Sequence, residues 1–370
     1  MKRVLKAIAK VAGALLLALL LVEVAMRVAG LRLPPRGPNN FLPLLEDVPD
    51  AAAPGLEKAL IPNAQGEVVY PGKTSAEDRT LLYRVNPQGF RDREYPQAKP
   101  DGALRVAVLG DSVTYGTGVD LKDTLPKQLE RELHELCAGR RVEVLNFGVY
   151  AYNPRQEVAL LEYRALAFDP DIVLLVATVT DASGWGVQEK DAEPVWQARW
   201  IRRFGLTSGV WSGGDLEKAS WQIRAMNGLR STSVLADFVA NRAYVGLRSG
   251  MLEQGYNRDW VDGAPGRPMV HAALKRLKRL AVERGFDVRV LMYPTLTKLG
   301  ADYPYRFPSE VLGKECGELG LAFVDLLPAL LGRDAQSLQA HAHDRHPNAA
   351  CHGLVAKWLA RELRALWCGG

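Results

Sequence analysis

From about residue 104 the chain alternates short apolar runs with longer stretches in which apolar side chains recur every three to four positions. The runs at 104–109, 142–146, 172–177, 288–292 and 321–324 are too short for surface helices and are flanked by turn residues, so they predict buried strands. Helical spacing fits 125–137, 154–167, 269–284, 307–319 and 349–366. Alternation of this kind builds a parallel sheet covered by helices on both faces, and the expected architecture is one doubly wound α/β domain. Roughly a hundred residues separate the third and fourth runs, far more than a crossover needs, which predicts an insertion at about 183–266. It carries six of the eight tryptophans: Trp185, Trp196, Trp200, Trp211, Trp221 and Trp260. Their first reading is a core for this cap; the second is an aromatic wall for sugar rings or acyl chains.

The first thirty residues follow a different pattern. Lys2, Arg3, Lys6 and Lys10 precede an unbroken apolar run over 11–22, the arrangement with which export signals begin. An uncleaved anchor over 1–30 is the expectation, with Glu23 and Arg27 at the outer interface; a cleaved signal peptide is the alternative. Either places the remainder beyond the inner membrane, in the periplasm or outside the cell. Between Pro34 and Pro71 lie eight of the 22 prolines, so 31–100 is expected to stand off as an irregular arm before a domain over 101–370.

Net charge adds little. The total is +5, but residues 1–40 hold seven basic side chains and one acid, a sum of +6, which leaves −1 for the rest. No nucleic-acid-binding surface is expected from that balance. The four cysteines, Cys137, Cys316, Cys351 and Cys368, form no C-x-x-C pair; an oxidising compartment permits a disulfide, with three complete pairings possible.

Candidate chemistry lies where ligands bind in open parallel sheets, beyond the carboxyl ends of the strands. After the first run comes Gly110-Asp111-Ser112-Val113-Thr114-Tyr115-Gly116-Thr117-Gly118, after the second Asn146-Phe147-Gly148, and after the third Thr178-Val179-Thr180-Asp181. A serine on a tight turn leaving a strand presents its Oγ to solvent beside backbone N–H groups. Near the C-terminus, Asp344 and His346 lie two apart in a segment read as extended, so they project to one side and the carboxylate can orient the imidazole. His341, His343 and His352 are spare on this reading. A metal site built on these histidines lacks H-E-x-x-H or comparable spacing, and no metal or cofactor is expected.

These blocks resemble the SGNH (GDSL-type) hydrolase family, of the membrane-anchored bacterial type. Gly110-Asp111-Ser112 with Gly116 and Gly118 is similar to its first block, Asn146-Phe147-Gly148 to its second, and Asp344-Arg345-His346-Pro347-Asn348 to its last. The resemblance implies a flavodoxin-like α/β/α sandwich with a five-stranded parallel sheet, Ser112 as nucleophile, His346 as general base and Asp344 as its partner. It also implies an oxyanion hole from the N–H groups of Ser112 and Gly148. The family's Gly-x-Asn-Asp is replaced by 178–181, so Thr180 takes the place of the usual asparagine donor, with Asn153 as a substitute. Asn153, Asp181 and Trp185 are expected nearest the substrate. Asn86-Pro87-Gln88-Gly89-Phe90-Arg91 resembles the approach segment of anchored members.

The expected function is therefore an extracytoplasmic serine esterase or O-acyltransferase, acting on an acylated small molecule or on O-acetyl groups of envelope or secreted polysaccharide. The competing expectation is a non-catalytic descendant that binds glycan through the cap.

Overall fold

The computed structural model describes residues 2–30, 44–70, 79–137, 139–183, 221–341 and 344–368. These fall into two compact units, one of residues 1–39, 68–80 and 190–252, the other of residues 40–67, 81–189 and 253–370.

The larger unit is built on five parallel strands, β1 (Leu104–Gly110), β2 (Val142–Gly148), β3 (Ile172–Ala177), β4 (Asp287–Met292) and β5 (Ala322–Asp325), in the order β2-β1-β3-β4-β5. Every residue of β1, β2 and β3 is buried, because both faces are covered by helices; that is why these strands read as continuous apolar runs and not as alternation. The order reverses at β1, and the register pairs Gly110 with Gly148 on one side and with Val176 on the other. The carboxyl ends of the three strands are thus level, and their loops open into one crevice at the switch point.

Helix α1 (Lys2–Val28) belongs to the smaller unit. In the larger unit follow α2 (Ser112–Tyr115), α3 (Leu125–Leu136) and α4 (Pro154–Tyr163). Beyond the undescribed residues come α5 (Trp221–Arg230), α6 (Val234–Asp259), α7 (Arg267–Arg284), α8 (Arg306–Glu318), α9 (Ala349–Glu362) and α10 (Arg364–Cys368). Helix α3 packs against α9, and α4 against α7. Cys137, which ends α3, is disulfide-bonded to Cys368, whereas Cys316 and Cys351 are buried free thiols.

In the smaller unit, the Glu23 carboxylate accepts from Ser233 Oγ (2.9 Å), Val234 N (3.0 Å) and Leu235 N (2.8 Å), capping α6, and also takes the Arg27 guanidinium at 2.7 Å. Leu15, Leu16, Leu19 and Leu20 on α1 are exposed. Among the described residues no helix is long and apolar enough to cross a membrane.

The proline-rich arm departs from expectation. Leu44, Leu56, Leu60, Leu81 and Tyr83 are buried, and residues 40–67 and 81–100 belong to the larger unit instead of standing off from it. Leucines and tyrosines spaced among the prolines carry enough apolar surface to dock, and proline fixes the backbone without preventing that.

Candidate active site

Strand β1 ends at Gly110, and the chain turns at once into α2. Asp111 is the N-cap: its Oδ1 accepts from Val113 N at 2.8 Å, and its Oδ2 accepts from the Thr178 hydroxyl at 3.2 Å. Ser112 is therefore the first residue of a one-turn helix, where its N–H has no intrahelical acceptor. Gly148 lets the end of β2 pass close beneath this turn, since a Cβ there would lie 2.2 Å from Tyr115 N and 2.5 Å from the Thr114 carbonyl carbon.

His346 arrives on a short antiparallel ribbon of Gln339–His341 and Asp344–Pro347, in which His341 faces Asp344. Asn348 ends the ribbon and caps α9: its Oδ1 accepts from Cys351 N at 2.9 Å, and its amide donates to Ser337 O (2.8 Å) and Gln339 O (3.2 Å). The ring so placed has Nε2 2.9 Å from Ser112 Oγ and Nδ1 2.6 Å from Asp344 Oδ1. Asp344 Oδ1 also accepts the His346 backbone N–H at 3.0 Å, fixing the carboxylate to the residue it orients. Ser112 and His346 are 234 positions apart in sequence and hydrogen-bonded in space.

The remaining expected site residues stand differently. Gly148 N–H donates to Asn146 Oδ1 at 3.0 Å, so it is engaged within the protein. Thr180 Oγ1 lies 2.7 Å from Thr178 Oγ1, which is also 3.2 Å from Asp111 Oδ2 and 3.1 Å from Asp181 Oδ1. A hydroxyl has one proton. Either hydroxyl can donate in the 2.7 Å contact, so the Thr180 side chain is engaged with Thr178. Asn153 forms a capping box with Gln156 at the start of α4, its Oδ1 accepting Gln156 N at 3.1 Å, which fixes its side-chain oxygen in a helix start. Asp181 is buried, and both its oxygens face Thr178. Trp185, with Trp196, Trp200 and Trp211, lies outside the described residues. Trp260 is fully buried, and its indole N–H donates to Val179 O at 2.9 Å, bracing the Thr178–Asp181 turn.

Glu157, Asp111 and His352 had no part in the expected site. Glu157 on α4 is buried with neither carboxyl oxygen hydrogen-bonded, and burial beside Asp181 and Asp111 pushes its carboxyl well above the ordinary range. Burial does the same to Asp181, helped by Asp111, and raises Asp111 more mildly. His352, read as spare, is fully buried on α9 with both ring nitrogens unbonded, and burial pulls its pKa down to about 3, so it is neutral. Only a nearby helical period marks these positions in the sequence, and a period does not distinguish a buried acid from an exposed one.

Residues 108–354, well over half of the chain, match the GDSL-like lipase/acylhydrolase family, and the chain belongs to that family. Similar solved structures include an acetylxylan esterase from Geobacillus stearothermophilus, 14% identical over 71% of this chain and 95% of that one, with a TM-score of 0.40. Another is a two-domain esterase active on acetylated mannans, 15% identical over 72% of this chain and 50% of that one, with a TM-score of 0.39. A third is a G-D-S-L family protein from Desulfitobacterium hafniense DCB-2, 14% identical over 70% of this chain and 98% of that one, with a TM-score of 0.36. No curated protein matches the chain.

Proposed function

We propose that this protein is a serine ester hydrolase of the extracytoplasmic space that removes small acyl groups, such as O-acetyl groups of envelope or secreted polysaccharide. The observation that carries this reading is the unbroken hydrogen-bonded path from Ser112 Oγ through His346 to Asp344. In it, His346 Nε2 takes the hydroxyl proton as Ser112 Oγ attacks the ester carbonyl, and Asp344 holds the ring and stabilises the imidazolium. The Ser112 N–H receives the developing oxyanion. His346 then passes the proton to the leaving alcohol, and water releases the acyl group; a bound sugar hydroxyl in place of water makes the reaction an acyl transfer.

Location outside the cytoplasm is supported by the basic cluster ahead of the apolar N-terminal helix, by that helix's exposed leucines and by the Cys137–Cys368 disulfide. In this reading the N-terminal segment holds the protein at the inner membrane.

A specific observation favours a second reading, non-catalytic glycan binding: Gly148 N–H and the Thr180 hydroxyl are both engaged inside the protein. One experiment separates the two. The full-length protein is assayed for acetate release from p-nitrophenyl acetate and from acetylated xylan, beside Ser112→Ala and His346→Ala. Release by wild type that both variants lose supports the hydrolase. Equal inertness of all three, with retained polysaccharide binding, refutes it in favour of the binding protein.

A further inference from the structure

The segment 86–91 has a sequence pattern without an assigned role. We propose that Arg91 is a positioning residue for Ser112: its guanidinium holds the carbonyl end of the nucleophile turn and thereby sets Ser112 Oγ against His346. The inference rests on the hydrolase reading above.

Helix α2 has a single turn, which is not stable by itself, and must be held at both ends. Asp111 holds the start. At the other end the Tyr115 carbonyl lies past the last helical N–H, and the Gly116 carbonyl takes one backbone N–H, from Val119 at 3.2 Å. Arg91 Nη1 donates to both, at 2.7 and 2.6 Å, and Nη2 donates to Val119 O at 2.7 Å. A cation at this end also complements the helix dipole.

The guanidinium is almost wholly buried, 1% exposed, and lies 4.3 Å from the ring centre of Tyr83 and 5.0 Å from that of Tyr115. The Tyr83 hydroxyl in turn accepts Gly118 N at 2.9 Å. Gly116 sits at φ 87°, and a Cβ there would lie 2.9 Å from Arg91 Nη1 and 2.3 Å from Thr124 Cγ2, so the turn is enclosed with no slack.

The backbone that presents Arg91 is fixed in its own right. Asn86 Oδ1 accepts Gln88 N (3.0 Å) and Phe90 N (2.9 Å), and the Phe90 ring packs edge-on against Phe147 at 4.6 Å. The link to Ser112 is short: its carbonyl accepts Gly116 N at 3.1 Å and Thr117 N at 3.0 Å. Displacement of Gly116 therefore moves Ser112. Lysine cannot replace this contact, because three carbonyls are bonded by the fixed fork of one planar group.

The test is the second-order rate at which a fluorophosphonate probe labels Ser112 in the full-length protein, with far-UV circular dichroism reporting the fold. Loss of nucleophile alignment in Arg91→Ala is expected to slow labelling by about 100-fold, with KM for p-nitrophenyl acetate changed less than about threefold. Guanidinium at about 20 mM, far below the molar range in which it unfolds proteins, is expected to restore labelling at least tenfold, and tetramethylammonium is not. Folded Arg91→Ala that labels at the wild-type rate, or that guanidinium fails to rescue, overturns the proposal. If Arg91→Ala does not fold, Arg91→Lys supplies the measurement: a roughly tenfold slowing supports the role and a wild-type rate overturns it. Wild type that never labels, while folded, overturns the hydrolase reading and the role of Arg91 with it.

Discussion

Thr180 offers the sharpest test of how this site handles an oxyanion. Replacing it with valine keeps shape and removes the hydroxyl. If that hydroxyl donated to the oxyanion, its loss would cost about 2.7–4 kcal/mol, a fall of 10²–10³ in kcat. The structure argues for less. The Thr180 hydroxyl is engaged with Thr178 Oγ1, 2.7 Å away, which has carboxyl oxygens at 3.1 and 3.2 Å for its own proton. Thr180→Val then removes one ordinary hydrogen bond, worth about 1 kcal/mol, and is expected to lower kcat no more than about fivefold. Thr180→Asn does the opposite, since an amide can satisfy Thr178 with one atom and direct an N–H outward with the other; a rise in kcat of about tenfold or more is expected. Initial rates on p-nitrophenyl acetate, with the Ser112→Ala background subtracted, measure both. A hundredfold loss in Thr180→Val with KM unchanged would refute this, showing that the Thr180 hydroxyl donates to the oxyanion.

Three further outcomes are expected. Gly148→Ala must displace the backbone of Thr114 and Tyr115, and urea denaturation should show a loss of about 1–3 kcal/mol together with lower esterase activity. Cys137→Ser with Cys368→Ser opens a closure of 231 positions; loop entropy puts its contribution near 5 kcal/mol, and a measured loss of about 2–5 kcal/mol is expected, with thiol titration of unfolded wild type finding two free groups and not four. His352 is neutral when folded, with a pKa of about 3 against an ordinary 6.5, so the unfolded chain binds the proton first and stability falls as pH drops from about 6.5 towards 3, by up to about 1.4 kcal/mol per pH unit. Asp181 and Glu157, raised by burial, work in the opposite direction at acid pH, so the comparison is wild type against His352→Phe. A difference in stability between the two that does not change with pH would show that His352 is not the group responsible.

The five strands were legible because a strand buried on both faces has no polar alternation to confuse it, and the ranges for β1 to β5 differ from the pattern by no more than two residues at an end. Ser112, His346 and Asp344 were singled out by the resemblance of their sequence blocks to the GDSL-type family, and the structure hydrogen-bonds the three in a row. The auxiliary residues were not legible. Whether Gly148 N–H faces solvent or Asn146, and whether Asn153 meets a substrate or caps a helix, depends on rotations of a single bond that residue identity does not encode. Arg91 was hidden for another reason: a guanidinium in a proline-rich stretch reads as solvated until the tyrosines at 83 and 115 are known to flank it.

The cystine has a bearing on biogenesis. During synthesis from the amino end, the thiol of residue 137 emerges 231 residues ahead of its partner, while the thiols of 316 and 351 appear in the interval. Three mates are thus presented in turn, and the correct one comes last. Packing that hides 316 and 351 before oxidation, or an enzyme that reshuffles early pairings, must therefore act before the chain can mature.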